Sequence, residues 1–309
     1  MGDIKSKKIL VTGGAGFIGS NLTAELVRQG CEVTVIDNLS SGYRANLSPF
    51  PSVRLITGDV RDAKAVGEAV AGCEVIFHLA ASVGNKRSID NPLDDAAINV
   101  LGTLNILEAA RKHGVKKVVV SSSAGIFGEL KTLPIREDHP VEPDSPYGCT
   151  KLCEEKLSLA YSKLYPLEVV CLRYFNVYGP NQRYDAYGNA IPIFVFRMLK
   201  GETIFIYGDG EQTRDFVHVN DVVQANILAA GAEGVSGAFN IASGARITVN
   251  RLVRLIMEGS GSSSDVKHTA KRAGDVLHSL ADISLAHDKL GYTPAVTIEE
   301  GLRSYISWA

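Results

Sequence analysis

The chain has 309 residues, of which 45% are apolar and 21% charged, and its formal net charge at pH 7 is −2. These values are typical of a soluble globular protein with a sizeable core, and they give no reason to expect a nucleic acid or an anionic membrane as partner. No apolar run approaches the roughly 20 residues of a membrane span. The five cysteines are odd in number and lack metal-site or C-x-x-C spacing. They predict a reduced, cytoplasmic protein without a metal.

A glycine-rich turn between a predicted strand and a predicted helix lies near the start of the chain. Residues 9–12 are apolar or β-branched, and a helical pattern begins at Phe17. Such a turn lets a pyrophosphate approach the backbone and directs the first N–H groups of the helix toward it. The stretch therefore predicts a dinucleotide site. Its expected cofactor-binding residues are Gly13, Gly16, Phe17, Ile18 and Gly19.

The second predicted strand, residues 31–37, ends in Asp37, at the spacing expected of an acid that binds the adenosine ribose. The polar turn that follows, from Asn38 to Ser41, contains no basic residue, which favours NAD over NADP. After a third strand, Asp59 and Val60 are predicted beside the adenine. The alternative for Asp59 is a helix N-cap, a role that Asp62 suits better.

Strands and helices alternate with short loops as far as Phe175, and the pattern then becomes irregular. This order predicts an α/β protein with a doubly wound parallel sheet of the Rossmann type. We expect an NAD-binding domain at 1–175, with elements returning at about 214–242. A smaller, interleaved α/β substrate-binding lobe is expected at 176–309. His78, in the fourth strand, is predicted to be a core residue.

A serine run and a Tyr-x-x-x-Lys motif indicate the chemistry. The fifth predicted strand ends in Ser121-Ser122-Ser123, at the sheet edge where ligands bind. In the helix beginning at Pro146, Tyr147 and Lys151 are four residues apart and share one face. The lysine ammonium, a nicotinamide cation and the helix N-terminus would all favour the phenolate. A downward shift of roughly 3 units from a reference pKa of about 10 would make Tyr147 a general base near neutral pH.

The helix predicted from Asn91-Pro92 to Gly114 is apolar on more than one face. Covering one sheet face requires one apolar stripe, so the surplus predicts a subunit interface. The apolar residues are Ala96, Ala97, Ile98, Val100, Leu101, Leu104, Ile106 and Leu107.

Taken together, these motifs resemble the extended short-chain dehydrogenase/reductase family along the whole chain, and within it the UDP-sugar 4-epimerases. The resemblance rests on Thr12–Gly19, Asp37–Gly42, His78–Ala81, Ser121–Ala124, Tyr147-x-x-x-Lys151, Leu172–Pro180, Arg214–Asp221 and Arg272-x-Gly274-Asp275-Val276. It implies a tightly bound NAD, a UDP-sugar substrate and a homodimer that packs two helices from each subunit.

The resemblance also implies the roles of individual residues. Tyr147 would take the C4 hydroxyl proton while C4 gives a hydride to NAD, Ser123 would bind the C4 oxygen, and Lys151 would hold the nicotinamide ribose. The transient 4-keto sugar would turn and take the hydride back on its other face. Further cofactor contacts are Leu79, Ala80, Ala81, Asn99, Ser121 and Tyr174. The remaining substrate contacts are Asn176, Asn189, Tyr207, Arg214, Arg272, Asp275 and Ser279.

The preferred sugar stays open. Ser279 occupies the position that gates the C2 substituent in the family, and a small residue there admits an N-acetyl group without requiring one. Arg87-Ser88 resembles the N-acetylhexosamine group, and Lys86 or Arg183 would suit a C6 carboxylate. UDP-glucose/UDP-galactose is favoured, with UDP-GlcNAc/UDP-GalNAc second and UDP-glucuronate as a further alternative.

Two other functions are less favoured. Nucleotide-sugar dehydratases and decarboxylases carry a carboxylate one or two residues after the catalytic serine or threonine, where this chain has Ala124 and Gly125. A non-enzymatic relative would commonly lack the Tyr–Lys pair, which is intact here.

Overall fold

The computed structural model describes residues 4, 7–184, 189–271 and 277–309. The strands are β1 (Lys8–Thr12), β2 (Glu32–Asp37), β3 (Arg54–Thr57), β4 (Val75–His78), β5 (Lys117–Ser123), β6 (Glu168–Tyr174), β7 (Asn176–Tyr178), β8 (Ile204–Tyr207), β9 (Thr213–Arg214), β10 (Phe216–His218), β11 (Gly237–Ile241), β12 (Ile247–Thr248) and β13 (Val266–Thr269). The α-helices are α1 (Phe17–Arg28), α2 (Ala63–Val70), α3 (Asn85–Asp90), α4 (Pro92–Ala96), α5 (Thr103–His113), α6 (Pro146–Leu164), α7 (Ala190–Leu199), α8 (Val219–Gly231), α9 (Val249–Ser260), α10 (Ser284–Leu290) and α11 (Ile298–Trp308).

Seven strands form one sheet in the order β11-β6-β5-β4-β1-β2-β3. Every neighbouring pair in this sheet is parallel. The predicted doubly wound α/β fold is therefore confirmed. The edge strand β11 comes from late in the chain and lies beside β6.

Burial on both faces explains why the strands are almost continuously apolar. Ile9 and Val11 of β1 belong to one core cluster, which also includes residues of α1 and α8. Leu10, between them, belongs to a second cluster on the other face, shared with α2 and α5. Successive side chains of a strand point to opposite faces, so both clusters form around the same strands.

The irregular part of the sequence builds a third core cluster. It joins α7, α9 and α11 to β8 and β10, with Phe194, Leu252 and Tyr305 among its buried residues. The short pairs β7–β10, β8–β13 and β9–β12 lie outside the seven-stranded sheet. Within the described ranges, no helix is long and apolar enough to cross a membrane.

The stretch before α5 differs from the sequence prediction. The sequence did not predict α3, and α4 and α5 are joined by a π-helical segment at Ala97–Gly102. Asn91 precedes α4 as predicted, but its side chain makes no capping hydrogen bond. Gly114 ends α5 in the left-handed conformation, as expected of a C-cap glycine.

Candidate active site

A cleft of about 1010 Å³ lies over the carboxyl ends of the central parallel strands. Its volume is at the upper end of the range for ligand sites, roughly 300–1,000 Å³. Nearly all of the predicted site residues that the structure describes line it, namely Gly13, Gly16, Phe17, Ile18, Gly19, Asp37, Asn38, Asp59, Val60, Leu79, Ala80, Ala81, Ser121, Ser123, Tyr147, Lys151, Tyr174, Asn176, Asn189, Arg214 and Ser279. Arg272 and Asp275 lie outside the described residues.

The glycine turn at one end of the cleft fits a pyrophosphate. Gly13 has a φ of +68°, and a Cβ there would lie 2.8 Å from the backbone nitrogen of Ala80. A Cβ on Gly19 would collide with the carbonyl oxygen of Gly13. Gly16 caps α1 without a side-chain hydrogen bond and lines the cleft, so the first N–H groups of the helix are left for an anion.

Asp37 has the geometry expected of a ribose ligand. One carboxylate oxygen accepts the Ala15 N–H at 2.9 Å and the other accepts the Leu39 N–H at 2.8 Å. Each oxygen keeps a second lone pair, which can accept a ribose hydroxyl. The backbone therefore holds this carboxylate in place before a ligand arrives.

The Asp59 carboxylate already accepts more hydrogen bonds than that of Asp37. It accepts hydrogen bonds from the backbone N–H and the guanidinium of Arg61 and from the Asn38 amide. The Arg61 guanidinium holds the pKa of Asp59 well below its usual range. A direct bond from Asp59 to an adenine amino group would share an oxygen that is already bonded. The helix N-cap is Asp62, as the sequence indicated.

The serine, tyrosine and lysine meet at the centre of the cleft. Ser145 caps α6 by accepting the Gly148 N–H at 3.1 Å, which places Tyr147 in the first turn and Lys151 in the second. Ser123, at the end of β5, lies with the Tyr147 ring beside Gly125, and its hydroxyl acts to lower the pKa of Tyr147. These three residues therefore form one constellation, although β5 and α6 are separated by 22 residues.

Two glycines that the sequence analysis did not single out permit this approach. A Cβ on Gly148 would lie 2.5 Å from the carbonyl oxygen of Gly125. A Cβ on Gly125 would lie 3.3 Å from the Ser123 Oγ and 3.4 Å from the Tyr147 ring. The sequence signals their importance only by position, since Gly148 follows Tyr147 directly and Gly125 lies two residues after Ser123.

The chain by itself does not lower the pKa of Tyr147. Burial raises it above the ordinary value, and the Lys151 charge and the Ser123 hydroxyl offset that rise only in part. Glu154 and Asp95 raise it further. The lowered pKa expected from the sequence is therefore not produced by these residues, because desolvation outweighs Lys151. A bound nicotinamide cation would add positive charge at this point.

His78 is a core residue, as predicted. It is 1% exposed, and its ring nitrogens contact the hydroxyls of Thr12 and Thr103 at 2.8 and 3.0 Å. Burial lowers its pKa to about 3, with the Lys151 charge as a second cause. The imidazole is therefore neutral at physiological pH.

Asn99 and Tyr207 do not line the cleft. Asn99 is fully buried behind the wall, where its amide bonds Ser82 and Thr150. It thereby supports the loop after β4 instead of facing the cavity. Tyr207, at the end of β8, is 39% exposed.

The other end of the cleft is formed by α3, β7 and the start of α7. Asn176 donates its amide to the carbonyl of Asp215, which leaves its side-chain oxygen for a ligand. Asn189 precedes α7 without capping it. The unpredicted helix α3 contacts the start of α6, because the Ser88 Oγ accepts the Tyr147 N–H at 3.0 Å and the Asn85 amide oxygen accepts the Ser145 hydroxyl at 3.1 Å.

The fold and this site define a Rossmann-type dinucleotide-dependent enzyme with a serine–tyrosine–lysine centre. The model of the NAD dependent epimerase/dehydratase family matches residues 9–242. The chain belongs to this family, and NAD is its cofactor. This confirms the resemblance found in the sequence.

Relatives of known structure or name cover almost the whole chain. A UDP-glucose 4-epimerase of Mycolicibacterium smegmatis is 39% identical over 97% of this chain and 98% of its own. The structure of a UDP-N-acetylglucosamine 4-epimerase from Methanobrevibacter ruminantium M1 in complex with UDP-N-acetylmuramic acid has a TM-score of 0.94, with 39% identity and 98% of each chain covered. A Thermotoga maritima UDP-glucose 4-epimerase with UDP-glucose has a TM-score of 0.92, with 40% identity over 97% of this chain and 98% of that chain.

Proposed function

We propose that this protein is a UDP-sugar 4-epimerase that interconverts UDP-glucose and UDP-galactose through a transient 4-keto sugar. The observation that carries the proposal is the joint position of Ser123, Tyr147 and Lys151 in a cleft that also holds the dinucleotide turn. The named relatives support it, since 4-epimerases of two different UDP-sugars resemble this chain over nearly its whole length.

In this proposal, Tyr147 takes the proton of the C4 hydroxyl and later returns it, while Ser123 orients the C4 oxygen. NAD, when bound, supplies the hydride acceptor and donor at C4. Lys151 binds the nicotinamide ribose, and the N-terminal turn of α1 binds the pyrophosphate. Inversion follows when the keto sugar turns before the hydrogen is returned to its other face.

The diphosphate and uridine of the substrate are assigned to the far end of the cleft. Asn176, Asn189 and Arg214 line it there, and a guanidinium suits a pyrophosphate because it can donate two parallel hydrogen bonds. On the family pattern alone, we also assign Arg272 and Asp275, which lie outside the described residues, to substrate binding, whereas Tyr207 does not line the cleft.

A dehydratase is the weaker alternative. Elimination of water requires a proton donor beside the leaving group, and Ser123 is followed by Ala124 and Gly125. Three carboxylates are among the described residues that line the cleft. Asp37 and Asp59 belong to the dinucleotide site. The third, Asp144, is exposed on the loop before α6 and does not lie on the strand that holds Ser123. This arrangement favours an epimerase.

The test is to incubate the purified protein, without added cofactor, with UDP-galactose, UDP-GalNAc or UDP-galacturonate and follow C4 inversion by NMR. We expect inversion of UDP-galactose at the highest kcat/KM. Faster inversion of one of the other sugars would refute the proposed substrate. A lasting keto sugar from UDP-glucose with added NAD would refute the epimerase.

Ser279 is expected to control access of an N-acetyl group. It lines the cleft and is 8% exposed, so a larger side chain there projects into the cavity. We expect Ser279→Tyr to lower kcat/KM for UDP-GalNAc relative to UDP-galactose by about tenfold or more. Ser279→Ala is the matched control and should keep the wild-type ratio. An unchanged ratio in the tyrosine variant would remove Ser279 from this role.

We also infer that the protein is a homodimer through the outer face of α4, the π-helical segment and α6. Leu93, Leu101 and Leu164 on these helices are 85%, 57% and 70% exposed. Such an apolar face is covered when a second copy packs against it. We expect the double variant Leu93→Glu/Leu101→Glu to be monomeric in sedimentation equilibrium at concentrations where the wild type is dimeric. Leu285→Glu lies on α10, which packs against α8 and β11, and this variant should stay dimeric. A dimeric double variant would contradict the inference.

A further inference from the structure

A second buried charge accompanies the catalytic lysine. Glu154 lies three residues after Lys151 on α6, and the two side chains are 1% and 2% exposed. The Lys151 ammonium donates a hydrogen bond to Glu154 Oε2. The i,i+3 spacing alone makes Glu154 a neighbour of Lys151 on the helix surface, and the tertiary structure shows that both side chains are buried beside Tyr147.

The remaining oxygen of Glu154 has no hydrogen-bond partner among the described residues. On β4, the His78 Nε2 lies 4.0 Å from this oxygen, Oε1. That nitrogen already makes a hydrogen bond to the Thr103 hydroxyl. The Thr103 hydroxyl donates to the Asn99 carbonyl at 2.6 Å, so it must accept its other hydrogen bond from His78 Nε2–H. Lys151 is therefore the ionic partner of Glu154.

We propose that Glu154 is a positioning residue that anchors the Lys151 ammonium and, by partly cancelling its charge, sets the pH at which Tyr147 ionises. The proposal concerns how the chain prepares its base in the NAD-bound protein before any sugar binds. It shares with the proposed function the assignment of Tyr147 as that base, but it is independent of the sugar.

The physical basis is that Glu154 exists in two forms near neutral pH. Burial raises the pKa of Glu154 to about 7, against the lowering effect of Lys151. Ionised Glu154 pairs with the ammonium and leaves little net positive charge for the phenolate. Protonated Glu154 leaves the ammonium uncompensated, which favours the phenolate. Tyr147 and Glu154 should therefore titrate as a coupled pair, each disfavouring ionisation of the other.

Other titratable groups surround this pair and must be considered in any titration. They are Glu155 on α6, His78 on β4, Asp95 on α4, and Cys171, Arg173 and Tyr174 on β6. Burial raises the pKa of Cys171 and of Tyr174 and lowers that of His78, so these three groups stay neutral at physiological pH.

The test is Glu154→Gln, which keeps an oxygen acceptor for Lys151 and removes the charge. Ionisation of Tyr147 is followed in the NAD-bound protein, without sugar, by tyrosinate absorbance. The same titration of the matching Tyr147→Phe protein is subtracted to remove the other tyrosines. Loss of a nearby negative charge favours the phenolate, so the midpoint should fall by about one pH unit. The acid limb of the kcat/KM profile should move in the same direction.

Two further comparisons separate this role from a structural one. In a Lys151→Met background, buried Glu154 binds a proton, so adding Glu154→Gln changes no charge and the downward shift should disappear. Glu108→Gln removes a carboxylate that is 37% exposed on α5, and solvent screening should leave the Tyr147 midpoint unchanged. In the wild type, the Tyr147 titration should not follow a one-proton curve. The departure should occur in the pH range in which Glu154 ionises, which is seen as the loss of the infrared band of a protonated carboxyl.

An unchanged or raised midpoint in Glu154→Gln would overturn the proposal, as would persistence of the shift without Lys151. If the glutamine variant did not fold, a one-proton titration of wild-type Tyr147 would overturn it equally well. If the midpoint falls as expected but no UDP-sugar is inverted, the proposed function fails and this inference stands.

Discussion

Tyr147→Phe is expected to lower kcat for C4 epimerisation by about 10³-fold or more while the variant folds and keeps its NAD. The phenyl ring occupies the same space beside Ser123 and Gly125, so packing at the start of α6 is retained. The hydroxyl that exchanges a proton with the C4 oxygen is lost. Its removal therefore affects the chemical step and not the cofactor site at the glycine turn.

The measurement is single-turnover inversion of UDP-galactose, with bound NAD quantified after denaturation and the fold checked by circular dichroism. Tyr161→Phe is the matched control, because Tyr161 lies on the same helix and its hydroxyl bonds the Glu108 carboxylate at 2.8 Å, outside the cleft. It should retain wild-type activity. A fully active Tyr147→Phe protein would refute Tyr147 as the general acid–base.

Arg173→Met is expected to lower the free energy of unfolding by about 3–5 kcal/mol, because it leaves the buried carboxylate of Glu155 without its cation. Arg173 and Glu155 form a two-bond ion pair at 2.9 and 2.7 Å, and the two residues are 4% and 0% exposed. Glu155 also accepts the Ser122 hydroxyl at 2.7 Å. Through these bonds Glu155 connects α6, the helix that carries Tyr147 and Lys151, to the adjacent strands β5 and β6.

Urea denaturation of the NAD-bound protein measures this loss. Adding Glu155→Gln to Arg173→Met should recover part of the stability, because the uncompensated charge is then removed. Arg28→Met is the control. Arg28 pairs with Glu25 on α1 but its side chain is 74% exposed, so the change should stay within about 0.5 kcal/mol. If Arg173→Met and Arg28→Met lowered the free energy of unfolding by similar amounts, burial of the Arg173–Glu155 pair would not be the cause of the loss.

Much of the cofactor half of the cleft could be predicted from the sequence because its determinants are local. The glycine spacing, the acid after the second strand and the Tyr-x-x-x-Lys pair are all read within one strand–turn–helix unit or one helical turn. The strand–helix alternation likewise predicts a parallel sheet, since parallel strands need crossover connections. The carboxyl ends of those strands then meet at one edge, which brought Asp37 and Ser123 to the same cleft.

Other features depend on contacts between distant segments, which a single sequence does not reveal. The helix α3 was missed because Asn85–Asp90 is short and gains its role by contacting Ser145 and Tyr147. Asn99 was expected at the cofactor, but the π-helical segment directs it to Ser82 and Thr150.

The Rossmann-type fold, the dinucleotide site and the Tyr147–Lys151 pair could all be predicted from the sequence, because short-range backbone geometry and residue spacing are sufficient for each. The electrostatics around Tyr147 and Lys151 depend instead on the segments that pack around them. The spacing of Lys151 and Glu154 on α6 already makes them neighbours, but their burial, and the rise that burial causes in the pKa of Tyr147 and of Glu154, follow from the packing. Desolvation depends on everything packed around a group, and no stretch of sequence contains that information.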